Sequence, residues 1–101
     1  MFIYNVTTKV EWSIHEKWLE WMIGEHLQAV VATGCFIKSS LLRLHETDES
    51  DGPTYAAQFV ANTRQDYEQY ISLYSKSLRE ESHLKWGNKI ISFRSLMEVV
   101  N

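Results

Sequence analysis

The stretch Trp18–Phe36, WLEWMIGEHLQAVVATGCF, decides the fold because it places a long helix between two strands. Its apolar side chains recur at intervals of three and four residues, which is typical of an amphipathic helix. The helix is predicted to begin at Ser13, which has capping-box spacing to Glu16, and to run to about Val31. Thr33-Gly34 then ends it, since glycine tolerates the left-handed conformation common at helix ends. A connection of this length between strands is a crossover and not a tight turn.

Five further elements surround this helix. In the first, Phe2, Tyr4 and Val6 alternate with polar residues, which predicts a half-buried strand. The predicted strands are residues 2–10, 35–46, 55–61 and 88–100, and a second helix runs from a cap at Thr63 to Trp86. The order strand, helix, strand, strand, helix, strand predicts an α+β, ferredoxin-like βαββαβ domain over residues 1–101. It would have a four-stranded antiparallel sheet with both helices on one face.

The sheet face away from the helices is predicted to be an interface. Alternate residues of a strand point to opposite faces of the sheet. One set is expected to face the helices: Phe2, Tyr4, Val6, Phe93 and Met97. The opposite set then forms the uncovered face: Ile3, Asn5, Thr7, Gln58, Ile90, Arg94, Leu96 and Val100. This mixture is too apolar for an ordinary wetted surface and too polar for a core, as expected where two sheets meet. It favours a homodimer through this face. The alternative is a solvated face with scattered apolar residues.

Composition excludes several classes of partner. There are 10 Lys and Arg against 13 Asp and Glu, a formal net charge of −3, with no basic cluster to neutralise phosphates. Nucleic acid is therefore not an expected partner. No apolar run approaches the roughly 18 residues that span a bilayer. The single cysteine, Cys35, has no intramolecular disulfide partner, and the amino-terminal segment reads as a strand, so we expect a cytoplasmic protein without a membrane role.

His26 is the one candidate for chemistry on the first helix. Counting about 100° per residue places it in the same arc as Trp18, Leu19, Met22, Ile23, Ala29 and Val30. An inward histidine can be a buried ring bonded to a backbone carbonyl, or a base or ligand-binding group, and the structural role is the default. No His, Cys, Asp and Glu residues stand at metal-ligand spacing, so neither a metal site nor a cofactor is predicted.

A resemblance adds to this reading. The segments MFIYNVT, WLEWMIGEHLQAVVATGCF, DGPTYAAQF and ISFRSLMEVV resemble a family of small bacterial proteins with no established activity, over essentially the whole chain. More remotely, Trp21, His26 and the following Gly34 are similar to the dimeric α/β-barrel superfamily. That superfamily includes cofactor-free monooxygenases, muconolactone-isomerase-like proteins, EthD-like proteins and haem-handling relatives. The axial histidine setting of the haem-handling relatives is not evident in this sequence.

The superfamily resemblance implies a homodimer with a cavity in each subunit between sheet and helices. The matching positions are Trp18, Met22 and His26 on the helix, with Tyr4 and Phe93 across from them on the sheet. Three functions remain open. In the first, the protein binds a small apolar or aromatic molecule in this cavity. In the second, it is a cofactor-free monooxygenase- or isomerase-like enzyme in which His26 moves a proton. In the third, it is a structural or regulatory dimer without a pocket. Whether it is an enzyme is left open.

Overall fold

A computed structural model describes all 101 residues and contains one four-stranded antiparallel sheet. The strands are β1 (Phe2–Val10), β2 (Lys38–Arg43), β3 (Thr54–Ala61) and β4 (Ile90–Glu98), and the α-helices are α1 (His15–Trp21), α2 (Leu27–Ala32), α3 (Arg64–Leu73) and α4 (Ser75–Trp86). The strands lie in the order β2-β3-β1-β4. This order and connectivity confirm the predicted ferredoxin-like βαββαβ fold. No helix has the length and hydropathy needed to cross a membrane.

The first helical segment is not the continuous α-helix that the sequence predicts. A 3-10 helix at Trp12–Ile14 leads into α1, and a π-helix at Met22–His26 separates α1 from α2. The predicted capping box at Ser13 is wrong, because the residue that caps α1 is Ile14 and its side chain makes no capping hydrogen bond. The predicted end of the segment is correct, since Gly34 has a φ of 83°.

The π-helix changes which residues of this segment are buried. A π-turn closes i→i+5 hydrogen bonds and so adds one residue to the turn, which rotates everything after it. Ile23 and Ala29, which uniform 100° steps place in the apolar arc, are exposed. Leu27 is buried instead, as is Trp21 in the turn before the π-helix, together with the predicted Trp18, Met22 and Val30.

The second helical segment begins as predicted but is divided in two. The Thr63 hydroxyl accepts a hydrogen bond from the Asp66 backbone N–H at 3.1 Å, which caps α3. Tyr74, with φ −124° and ψ −31°, leaves the helical conformation between α3 and α4. Gly87, with a φ of 58°, ends α4 where the sequence predicts it.

Aromatic side chains fill the space between sheet and helices. Tyr4, on the central strand, lies at ring-centroid distances of 6.0 Å from Phe36, 6.1 Å from Phe59 and 5.7 Å from Tyr70. These rings come from the segment before β2, from β3 and from α3, so Tyr4 joins the sheet to the second helical segment. Pairs at such distances stabilise by about 1 kcal/mol beyond the area that they bury.

The predicted orientation of β4 is wrong. Directly opposed residues of antiparallel strands point to the same face. Phe93 lies opposite Thr7 and Met97 opposite Ile3, so both belong to the uncovered face with 64% and 40% exposure. Ile90, Arg94 and Leu96 lie opposite Val10, Val6 and Tyr4 and face the helices. The uncovered face is therefore more apolar than predicted.

The loop between β2 and β3 folds back on the end of β1. Val10 donates a backbone hydrogen bond to the Pro53 carbonyl at 3.0 Å, and Trp12 donates one to the Asp51 carbonyl at 3.2 Å. Gly52 lies between these contacts, and a β-carbon there would overlap the Val10 carbonyl oxygen. Only glycine allows so close an approach of two backbones.

We expect Gly52→Ala to lower the free energy of unfolding by about 3 kcal/mol or more, because the clash is with backbone and cannot be relieved by a side-chain rotation. Gly24→Ala is the matched control, since nothing lies within 4 Å of a β-carbon at Gly24. It should change stability by no more than about 1 kcal/mol. Urea denaturation followed by tryptophan fluorescence measures both, and equal effects of the two substitutions would contradict the expected backbone contact.

Candidate functional site

A cavity of about 50 Å³ lies between the sheet and the helices. Its apolar wall contains Trp18, Met22, Val30, Tyr55, Ala57 and Phe59. Its polar groups include Thr8, His26, Tyr70, Arg79, Ser82, Ser92 and Arg94. Side chains from β1, β3, β4 and both helical segments thus meet around one space. None of the residues that line it is an aspartate or a glutamate.

The π-turn positions His26 at this cavity. Its ring stacks on Trp21 with a centroid distance of 4.6 Å and an interplanar angle of 25°. In a regular α-helix, residues five apart are rotated by about 140° around the axis and cannot stack. The longer π-turn brings the two rings to the same side. The His26 imidazole makes no hydrogen bond to a protein group, unlike that of His15, whose Nε2 lies 2.7 Å from the Tyr55 hydroxyl.

Burial, and secondarily the charge of Arg94, lowers the pKa of His26 from 6.5 to about 4. Both causes disfavour the imidazolium form, which would be poorly solvated and would face a second positive charge. The ring is therefore neutral at pH 7. A neutral imidazole has one nitrogen that donates and one that accepts a hydrogen bond, and both remain available to a bound molecule.

Two tyrosine hydroxyls and an arginine lie near one another at the edge of the aromatic cluster. Arg79 on α4 donates from Nη2 to the Tyr4 hydroxyl at 3.5 Å. Burial, with a smaller contribution from Tyr4, raises the pKa of Tyr70, while Arg79 and Arg94 act in the opposite direction. The Tyr70 hydroxyl therefore stays protonated at neutral pH and is able to donate a hydrogen bond.

The structure brings together four of the five residues proposed from the sequence. Tyr4, Trp18, Met22 and His26 all line the cavity. Phe93 does not, because it is on the opposite face of the sheet. The backbone carbonyl expected to accept a hydrogen bond from His26 is not found.

Sequence reasoning missed Tyr70, Arg79 and Arg94 as residues of this site. Arg79 has a local signal, since Ser82 and Trp86 follow it at helical spacing and Leu78 precedes it, and both Leu78 and Ser82 line the cavity beside it. Arg94 has none, because its direction depends on the register between β4 and β1.

The family profile described as "Domain of unknown function (DUF4286)" matches residues 1–100. The chain belongs to the DUF4286 family. This agrees with the resemblance to a family without an established activity. No curated protein sequence matches this DUF4286 chain significantly.

Solved structures with the same fold include three with different descriptions. SnoaB from Streptomyces nogalater, a cofactor-independent oxygenase, is 15% identical with a TM-score of 0.70, over 99% of this chain and 93% of its own. A dimeric ferredoxin-like protein from an uncultured marine organism is 12% identical with a TM-score of 0.71, and the match covers 99% of this chain and 95% of that protein. An EthD family protein from Bacillus halodurans is 9% identical with a TM-score of 0.66, over 98% and 100%. At these identities the likeness shows the fold alone.

The lowered pKa of His26 predicts a pH-dependent stability. Between about pH 6.5 and pH 4 the unfolded chain binds a proton at His26 that the folded chain does not, so the free energy of unfolding falls as pH falls through this window. Between pH 7 and pH 4.5 the free energy of unfolding should fall by about 2 to 3 kcal/mol more in the wild type than in His26→Gln.

Urea denaturation at the two pH values measures this difference, and the exposed His83→Gln is the control. His83→Gln should keep the wild-type pH dependence. If His26→Gln has the same pH dependence as the wild type, the ring is not desolvated as the structure indicates.

Proposed function

We propose that the protein binds a small molecule with an apolar or aromatic body in the cavity between sheet and helices. The observation that carries this proposal is His26, a neutral ring without a protein hydrogen bond that lines a cavity walled by aromatic side chains. A histidine with a purely structural role has its nitrogens satisfied by protein groups. The His26 ring has no such protein partner, so its nitrogens are available to a molecule that enters the cavity.

The size of the cavity limits the ligand. Its volume of about 50 Å³ has room for roughly three or four water molecules. Drug-sized ligands occupy pockets of about 300 Å³ or more. The ligand is therefore small, or it moves side chains at the mouth as it enters. Arg79 and Arg94 are exposed there, and Arg79 would give up its 3.5 Å hydrogen bond to the Tyr4 hydroxyl on moving.

Filling the cavity tests this proposal. Val6 lines the cavity and Val100 is 88% exposed, so Val6→Phe and Val100→Phe add the same atoms in different places. We expect phenol or benzamide to shift the backbone NMR signals of Met22 and His26 in the wild type and in Val100→Phe. These shifts should be lost in Val6→Phe, and thermal unfolding establishes that this variant is folded. Identical titrations of the two variants would contradict binding in this cavity.

A second candidate is a cofactor-free enzyme in which His26 accepts a proton. The observation that favours it is the unprotonated ring at neutral pH, and the similar structure of SnoaB, a cofactor-independent oxygenase, points in the same direction. A pKa of about 4 makes the empty site a weak base, since general bases work best with a pKa near the working pH. A bound anion would raise this pKa and make the ring a better base.

We further propose that two copies associate through the uncovered face of the sheet. Ile91, Phe93, Met97 and Leu42 are exposed on it, with 40 to 71% of each accessible. They surround a self-satisfied polar centre, in which Asn5 Nδ2 donates to Thr7 Oγ1 at 2.9 Å and Gln58 Nε2 donates to Asn5 Oδ1 at 3.3 Å. Exposed apolar patches mark interaction surfaces, and polar groups that are already paired with one another can be covered without losing a hydrogen bond. The dimeric ferredoxin-like proteins of the same fold support a second copy as the partner.

Phe93→Asp tests the interface. It should weaken association by roughly tenfold or more, because a carboxylate would be desolvated without a partner. Leu84, 86% exposed on α4, supplies the control Leu84→Asp, which should leave association unchanged. Gel filtration with light scattering at micromolar concentration measures both against twice the chain mass of 11.9 kDa. A wild type that stays at 11.9 kDa would overturn the dimer.

A further inference from the structure

The charged residues of the cavity are all of one sign. Arg79 and Arg94 line it, and neither makes a salt bridge. The other two arginines both pair with glutamates: Arg43 with Glu49 at 2.8 Å, and Arg64 with Glu68 at 3.2 Å. The chain as a whole is acidic, with a net charge of −3. The positive charge at the cavity is therefore a local feature, opposite in sign to the net charge of the chain.

The two guanidinium groups act on the same part of the cavity. Arg79 comes from α4 and bonds to the Tyr4 hydroxyl, while Arg94 comes from β4, opposite Val6. Their charges both act on the Tyr70 hydroxyl. Two positive charges with hydroxyl donors beside them, and no acid to neutralise them, produce a positive potential in a partly desolvated space.

The neutral state of His26 fits this arrangement. A protonated ring would add a third positive charge, and the repulsion from Arg94 contributes to keeping the proton off. The neutral ring still has an N–H that it can donate. The cavity thus combines two cationic groups with several neutral donors, and aromatic walls stand next to them.

We infer that the molecule bound in this cavity is an organic anion, with a carboxylate held by Arg79 and Arg94 and a small apolar or aromatic body against Trp18 and Met22. The planar guanidinium presents its N–H groups in a fork that matches the two oxygens of a carboxylate. This inference rests on the proposed binding function and names the chemical class of the ligand.

Benzoate and benzamide make the test sharp, because they have nearly the same shape and differ in charge. We expect isothermal titration calorimetry of the full chain at pH 7 to give a benzoate Kd at least about tenfold below that of benzamide, a difference of about 1.4 kcal/mol. The benzoate Kd should rise with added salt, since the arginines are exposed to solvent. The benzamide Kd should not change with salt.

Arg79→Gln and Arg94→Gln should each raise the benzoate Kd by roughly fivefold or more and change the benzamide Kd by less than about twofold. Arg64→Gln removes the same charge on α3, outside the cavity, and should alter neither. Thermal unfolding of the three variants establishes that each is folded. Loss of binding of both ligands to an equal extent in Arg79→Gln and Arg94→Gln would overturn the assignment of a carboxylate site.

The remaining outcomes separate the two proposals. If benzamide binds as tightly as benzoate, the anion is wrong and the binding function stands. If benzoate binds more tightly but Arg64→Gln weakens it as much as the cavity variants do, general surface charge is responsible and the inference is overturned. If neither molecule binds at millimolar concentration, both the binding function and the inference are overturned.

Discussion

Strand β1 pairs with both β3 and β4, and the two-residue period of its side chains divides the whole sheet into two chemically different faces. Tyr4, Val6 and Thr8 point to the helices, and their partners on the neighbouring strands must do the same. This register directs Arg94 into the cavity and Phe93 away from it. A slip of one residue between β1 and β4 would exchange the two. The candidate site and the proposed interface therefore depend on one set of backbone hydrogen bonds.

On the helical side, the π-turn at Met22–His26 likewise affects which side chains face the sheet. Uniform α-helical steps place His26, Ala29 and Val30 in the arc of Trp18 and Met22. In the structure Ala29 is exposed and Leu27 is buried, while His26 and Val30 still face the sheet and Glu25 stays exposed. A π-turn has poorer hydrogen-bond geometry than an α-helix. Stacking of His26 on Trp21 and burial of Leu27 offset that cost.

Local signals in the sequence were enough for the order of elements and several of their ends. Thr63 and Gly87 act through contacts or conformations within one turn, so a single sequence contains the information. The faces of β4 and of the residues after Gly24 were predicted wrongly in part, because they depend on pairing with β1 and on a π-turn that no local residue pattern indicated. Arg94 became recognisable as a site residue only once its register was known.

The two sides of β4 contribute to two different surfaces. Ile90 and Leu96 face the helices beside Ser92 and Arg94, so the strand supplies apolar packing to the core as well as polar groups to the cavity. Ile91, Phe93 and Met97 point the other way, where in an isolated subunit they stay in water and gain nothing from burial. A second surface over this face would bury them. One register thus links the proposed assembly of the protein to the positive charge of its cavity.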